Sequence, residues 1–175
     1  TPWAENGVSV CAVSSSKAQL SIAASGSGSV VIAWVDTRSR LEIDLYAQRL
    51  DASGAAQWTT GGAVVLAVTR QISPVVTATG AGSSITVWLE KREKHYDLRA
   101  RKLDATGNAL WSGVGVCEAI DLQYFAVATS DGAGGVIVAW MDYRPGTSEP
   151  DIYAQRITSD GAAAWAADGV PVCAL

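Results

Sequence analysis

Trp34-Val35-Asp36-Thr37-Arg38, Trp88-Leu89-Glu90-Lys91-Arg92 and Trp140-Met141-Asp142-Tyr143-Arg144 are three copies of one frame, W-x-[D/E]-x-R, at steps of 54 and 52 residues. A second frame follows each copy: Asp44-Leu45-Tyr46-Ala47-Gln48-Arg49, Asp97-Leu98-Arg99-Ala100-Arg101-Lys102 and Asp151-Ile152-Tyr153-Ala154-Gln155-Arg156. A third frame places Gly54, Gly107 and Gly161 four residues before Trp58, Trp111 and Trp165. A fourth, G-[V/A]-x-V-[C/L], ends at Cys11, Leu66, Cys117 and Cys173. Four frames in one order at one spacing identify a tandem repeat over nearly the whole chain.

Each unit reads as four short strands. In the third unit the first strand falls near 124–129. The glycine turn Ser130-Asp131-Gly132-Ala133-Gly134-Gly135 follows. The second strand, Val136-Ile137-Val138-Ala139-Trp140-Met141, is apolar at every position, which predicts burial of both faces. The third and fourth strands fall near 151–158 and 169–174. No segment keeps a helical period over ten or more residues. The expected fold is therefore all-β: three four-stranded antiparallel blades of a β-propeller, each packed on both sides. A two-layer sandwich predicts cleaner in/out alternation. The expected organisation is a single repeat domain, 1–175, with units near 7–61, 62–112 and 113–175 and an extra terminal strand in 1–12. Propellers usually have about 4–8 blades. Three blades leave two expectations: two copies complete a six-bladed ring by dimerisation, or the chain belongs to a longer array. Either gives an open edge a partner.

Composition narrows the function. The 175 residues are 49% hydrophobic and 17% charged, which marks a globular chain. A formal charge of -4 argues against a nucleic-acid partner. No apolar run approaches the roughly 18 residues that cross a membrane, so no membrane insertion is expected. Thr1-Pro2-Trp3 has neither the basic nor the apolar region of a signal peptide.

Candidate chemistry divides by whether it repeats. The turns Gly26-Ser27-Gly28, Gly80-Ala81-Gly82 and Gly132-Ala133-Gly134 lie between two strands, which marks hairpins rather than phosphate cradles. In W-x-[D/E]-x-R, the acid and the arginine share one side of a strand or its adjoining loop. Trp34, Asp36, Arg38, Trp88, Glu90, Arg92, Trp140, Asp142 and Arg144 are therefore expected to form a structural brace. The carboxylates Asp36, Asp44, Glu90, Asp97, Asp142 and Asp151 recur by symmetry, so no pair stands out as a glycosidase acid and base. His95 lies in the charged run Lys91-Arg92-Glu93-Lys94-His95, which reads as a solvated loop and a candidate partner contact. The Cys and His spacings offer no metal cluster, and no cofactor motif is present. Cys11, Cys117 and Cys173 hold equivalent strand positions too far apart to pair, so buried free thiols are expected. For ligands, Trp58, Trp111 and Trp165 follow turns and are candidates for sugar stacking, with Tyr46, Tyr153, Gln48 and Gln155 as polar contacts. Gln19, Gln71 and Gln123 recur at steps of 52 before each first strand and are candidates for the mouth of a central channel.

The run Asp151-Ile152-Tyr153-Ala154-Gln155-Arg156 after Gly135–Arg144, with the tail Trp165 to Cys173, resembles a blade repeat of bacterial secreted and cell-surface propeller proteins. That resemblance implies a propeller in an extracellular or cell-surface setting. It carries no shared set of catalytic residues. The second unit departs from it, with Arg99 and Arg101 in place of Tyr and Gln, and Leu66 in place of a Cys. The reading expected from sequence is a non-catalytic structural or binding module. Its partners would be itself or neighbouring blades, and a glycan. A multivalent lectin is the first alternative and a glycoside hydrolase-like propeller the second.

Overall fold

A computed structural model of the chain describes residues 3–39, 42–67, 70–93, 95–120, 122–144 and 149–173. They form twelve strands and, among the described residues, no helix. The first sheet holds β1 (Lys17–Ala24), β2 (Val30–Asp36), β3 (Asp44–Leu50) and β4 (Ala63–Leu66). The second holds β5 (Gln71–Gly80), β6 (Ser83–Lys91), β7 (Tyr96–Leu103) and β8 (Val114–Cys117). The third holds β9 (Gln123–Ser130), β10 (Val136–Asp142), β11 (Asp151–Ile157) and β12 (Val170–Cys173). All three are antiparallel meanders. The fourth frame closes each sheet rather than opening it, so the sheets run 17–66, 71–117 and 123–173.

The frames set the register. The acid of the first frame faces the aspartate of the second: Asp36 opposite Asp44, Glu90 opposite Asp97, Asp142 opposite Asp151. The glycine turns join the first and second strands. Ser27 and Ala81 adopt positive φ (51° and 49°) between two positive-φ glycines, the conformation a tight hairpin requires.

The cores lie between sheets rather than within them. Alternate side chains of each strand point to opposite faces. Val31, Ala33 and Val35 face forward and pack on Val76, Trp88 and Leu103 of the second sheet. Ile85, Val87 and Leu89 repeat this against Val136, Val138, Trp140 and Ile157 of the third. Each such apolar burial contributes roughly 1.5–3 kcal/mol. This is how successive propeller blades stack, and it explains why β2 and β6 are buried on both faces. β10 alternates between buried and half-buried positions because none of the described residues forms a further sheet over its forward face. No ring closes among the described residues.

Residues 3–12 form no ladder strand, because among the described residues no strand pairs with them. They nevertheless take the position of a fourth strand on the next sheet. Val8, Val10 and Cys11 pack on Ile32, Trp34, Tyr46 and Leu50. The indole of Trp3 donates to the Ala52 carbonyl (2.9 Å), as Trp58 does to Ala105 (2.9 Å) and Trp111 to Ser159 (3.3 Å). The glycine of the third frame permits this approach. Gly107 has φ +87°, and a Cβ there would sit 2.9 Å from the Trp58 ring.

Candidate functional site

The repeated frame is a brace. The buried Asp36 carboxylate accepts from the Trp34 indole (3.1 Å), the Arg38 guanidinium (2.6 Å) and the Arg38 amide (2.9 Å). Arg38 also donates to the Gly61 carbonyl (2.9 Å) and lies 3.6 Å over the Tyr46 ring. Asp142 repeats the pattern with Trp140 (2.8 Å), Arg144 (2.6 Å) and the Arg144 amide (2.9 Å). Arg144 donates to the Asp168 carbonyl (2.7 Å) and covers Tyr153 at 4.0 Å. Burial alone lifts the pKa of both carboxyls. Hydrogen bonds from the arginine and the indole outweigh it and hold them below the ordinary carboxylate range. A general acid needs the opposite shift, so these carboxylates hold structure.

The second unit is wired differently. Arg99 stands where the other units carry a tyrosine, and it pairs with Glu118. Arg92 has no ring to cover and bridges Glu90 (3.0 Å) and Asp97 (2.6 Å). His95 also meets Asp97 (3.2 Å). The charged run is therefore partly tied down rather than freely solvated. Lys94 lies outside the described residues.

The structure does not bring the sequence-derived ligand residues together at one surface. Trp58, Tyr46, Gln48 and Gln155 are buried. Gln48 braces the Trp58 turn, accepting from the Trp58 amide (2.9 Å) and donating to the Thr59 carbonyl (3.1 Å). Gln155 does the same with Trp165 (3.1 Å) and Ala166 (2.7 Å). Trp111 and Tyr153 are half-buried, and Trp165 is exposed. All three cysteines are free, but only Cys117 is buried; Cys11 is half-buried and Cys173 exposed. Among the described residues no sheet covers the forward face carrying Cys173. Burial pushes the Cys117 thiol up to about 12, which leaves it unreactive.

The feature that breaks the repeat lies at the inner strands. Each first strand skips register near its start: between Ala18 and Ser21, between Ile72 and Val75, and between Tyr124 and Val127 opposite Met141 and Ala139; β5 skips again beside its turn, between Ala78 and Gly80. At each skip one residue adopts positive φ: Gln19 (50°), Ser73 (53°) and Phe125 (51°). Bulges of this kind re-aim side chains and are frequent beside active sites. Positive φ is costly for a bulky residue such as phenylalanine. These three residues, with Leu20, Ile72, Pro74, Val75, Leu89, Tyr124 and Ala126, line a depression of about 450 Å³. That volume suits a small-molecule site, whereas a cavity of about 200 Å³ between the second and third sheets falls below the usual ligand range.

The depression is mostly apolar, with an exposed aromatic platform. Phe125 is 77% exposed, with Tyr124 at 6.3 Å between ring centroids. Tyr124 is held edge-on by Tyr143 at 6.1 Å. The Gln19 side-chain Oε1 accepts from the Ser73 backbone amide (2.7 Å), linking the first two bulges. The ladder also corrects the glutamine alignment. Gln71 and Gln123 face Glu90 and Asp142, but Lys17, not Gln19, faces Asp36. Counting back from Trp34, Trp88 and Trp140 finds this, since Lys17, Gln71 and Gln123 each lie 17 residues upstream. The same count exposes Gln19, Ser73 and Phe125 as equivalent positions with different chemistry.

No family model and no curated protein matches the chain. Among solved structures it is similar to a putative glycoside hydrolase from Parabacteroides distasonis, at 12% identity and a TM-score of 0.52, covering 90% of this chain and 52% of that one. It is also similar to an endo-arabinase from Bacteroides thetaiotaomicron, at 15% identity and a TM-score of 0.50, covering 93% of this chain and 61% of that one. The chain thus spans between half and two thirds of the length of these neighbours. The likeness is one of fold. It overturns the expectation of a non-enzyme, because that expectation took repeat symmetry as the mark of a non-catalytic module. The same fold is carried by proteins named as a glycoside hydrolase and an arabinase.

Proposed function

We propose that the chain is part of a glycoside hydrolase-type propeller and that the depression at its inner strands receives a sugar chain. The observation that carries this reading is the triple bulge. Three strained positions related by the repeat present three unlike side chains, Gln19, Ser73 and Phe125, to one concave surface. A merely structural repeat has no need to diversify there, and strain held at equivalent positions is typical of sites that position a ligand. Phe125 and Tyr124 offer ring faces for a sugar, and Gln19 and Ser73 offer polar contacts. The names of the two structural neighbours support a carbohydrate substrate.

The ten residues lining the depression include no carboxylate, and Asp36 and Asp142 are locked in braces. On this reading the acid and base of hydrolysis come from the blades that complete the ring, and this chain supplies substrate-binding contacts. The test is calorimetric titration of the chain with neutral oligosaccharides, arabino-oligosaccharides first. The expected result is binding with a Kd of order 1 mM or tighter, weakened at least tenfold in Phe125→Ala. Absence of binding to every oligosaccharide, or binding indifferent to Phe125→Ala and Tyr124→Ala, overturns the proposal.

A further inference from the structure

The contact between sheets occurs in two complete copies and one partial copy. In the complete copies, β4 and β8 and the turn tryptophans Trp58 and Trp111 pack on the backward face of the next sheet. In the partial copy, residues 3–11 alone take that position on the first sheet. Trp3-Ala4-Glu5-Asn6-Gly7-Val8-Ser9-Val10-Cys11 matches Trp165-Ala166-Ala167-Asp168-Gly169-Val170-Pro171-Val172-Cys173 in the frame W-A-x-[N/D]-G-V-x-V-C. The two segments are therefore built for the same seat. Cys11 accepts from Arg38 (3.3 Å) and Cys117 from Arg144 (3.1 Å), so the seat has a fixed chemistry: an indole acceptor, an arginine and an apolar groove.

The two ends of the molecule are complementary halves of this contact. On the third sheet the forward face is bare among the described residues: Val172 is 64% exposed where its counterparts Val65 and Val116 are buried, and Val127 is 64% exposed where its counterpart Val75 is half-buried. On the first sheet residues 3–11 cover the outer part of the backward face but leave the inner part open. Ile22 is 63% exposed there, whereas its counterpart Val76, which meets the preceding sheet, is 4% exposed.

We propose that the forward face of the third sheet docks on the backward face of the first sheet of a second copy, with Trp165–Cys173 replacing that copy's Trp3–Cys11. The exchange keeps every contact type in the seat. It adds β9 against β1 of the other copy, which covers Val127 and Ile22 as β5 covers β1 within one chain. The contact is head-to-tail, so each copy offers one half of it at each end.

The test is mass by light scattering across about 1 μM to 1 mM, the span of ordinary interface affinities. The variants are Val172→Asp on the forward face and Ile22→Asp on the backward face. Both side chains are largely exposed, and circular dichroism checks that the sheets persist. The 18.2 kDa chain is expected to associate with rising concentration, and each variant to do so at least tenfold more weakly. Mixing the two variants is expected to restore a one-to-one pair, because Ile22→Asp keeps a good forward face and Val172→Asp a good backward one. Val127→Asp repeats the forward-face test if Val172→Asp loses its sheet signal. A chain that stays monomeric throughout overturns the proposal. So does association that Val172→Asp abolishes and Ile22→Asp leaves intact, since that marks two forward faces in contact. Sugar titration of the same variants reads the depression separately, so the two proposals fail independently.

Discussion

An aspartate two residues after a tryptophan can accept from the indole and from the arginine two residues further on at once. Asp36 and Asp142 both do so. Glu90 is one methylene longer and pairs with Arg92 instead, and among the described residues the buried Trp88 indole N–H finds no acceptor. A buried donor left unpaired costs about 1–3 kcal/mol. Glu90→Asp is therefore expected to stabilise the protein by about 1 kcal/mol, read as a raised urea midpoint at unchanged slope; a lowered midpoint shows that the longer carboxylate is needed to hold Arg92. The same braces govern acid stability. The Asp36 and Asp142 carboxyls titrate lower in the folded than in the unfolded chain. Their contribution is fully present above the unfolded value of about 3.9 and is lost as pH falls through the lower folded value. Stability should be flat from neutral pH to about pH 5 as far as these groups are concerned, and should fall below about pH 4. Asp142→Asn should lower stability at pH 7 and flatten this acid limb. An acid limb as steep as that of the parent chain places the titration elsewhere.

At the scale of elements, the inner bulges and the outer strands show what a sequence makes legible. The strands were legible because their signals are local: apolar runs such as Val136–Met141, turn glycines at fixed offsets, and a tryptophan marking each second strand. The brace was legible for the same reason, being confined to five consecutive residues. The bulges were not, because Gln19, Ser73 and Phe125 are ordinary residues whose positive φ comes from the ladder on either side of them. Spacing alone matched Gln19 to Gln71, two residues out of register, since the skip leaves no mark of its own. Burial of the turn tryptophans was equally non-local: Trp58 and Trp165 share a frame, but only Trp58 has a following sheet to cover it. The bulge predicts a trade between stability and binding. Phe125 is held at φ 51° with its ring mostly in solvent, so it carries backbone strain and little burial. Phe125→Gly should stabilise the fold by roughly 0.5–1 kcal/mol and abolish sugar binding. A destabilised Phe125→Gly would mean that the ring packs on something it does not touch here.

At the scale of the whole molecule, stability comes from interfaces between neighbours, because each sheet buries its apolar residues only against the next. Such an array behaves as a sum of units and nearest-neighbour contacts. Its ends are then the weakest parts. Of the three sheets, the first depends on residues 3–11 for the cover over Ile32, Trp34, Tyr46 and Leu50, while the second is covered on both sides by full sheets. Deleting residues 1–12 removes Val8, Val10 and the Trp3 bond to Ala52, a loss of several apolar contacts worth roughly 2–4 kcal/mol. That loss should fall on the first sheet alone. Amide hydrogen exchange at low protein concentration, where copies do not meet, should show β1–β4 losing protection while β6, β7, β10 and β11 keep theirs. If protection falls evenly across all twelve strands, the three sheets unfold as one unit, and the nearest-neighbour account of this molecule is wrong.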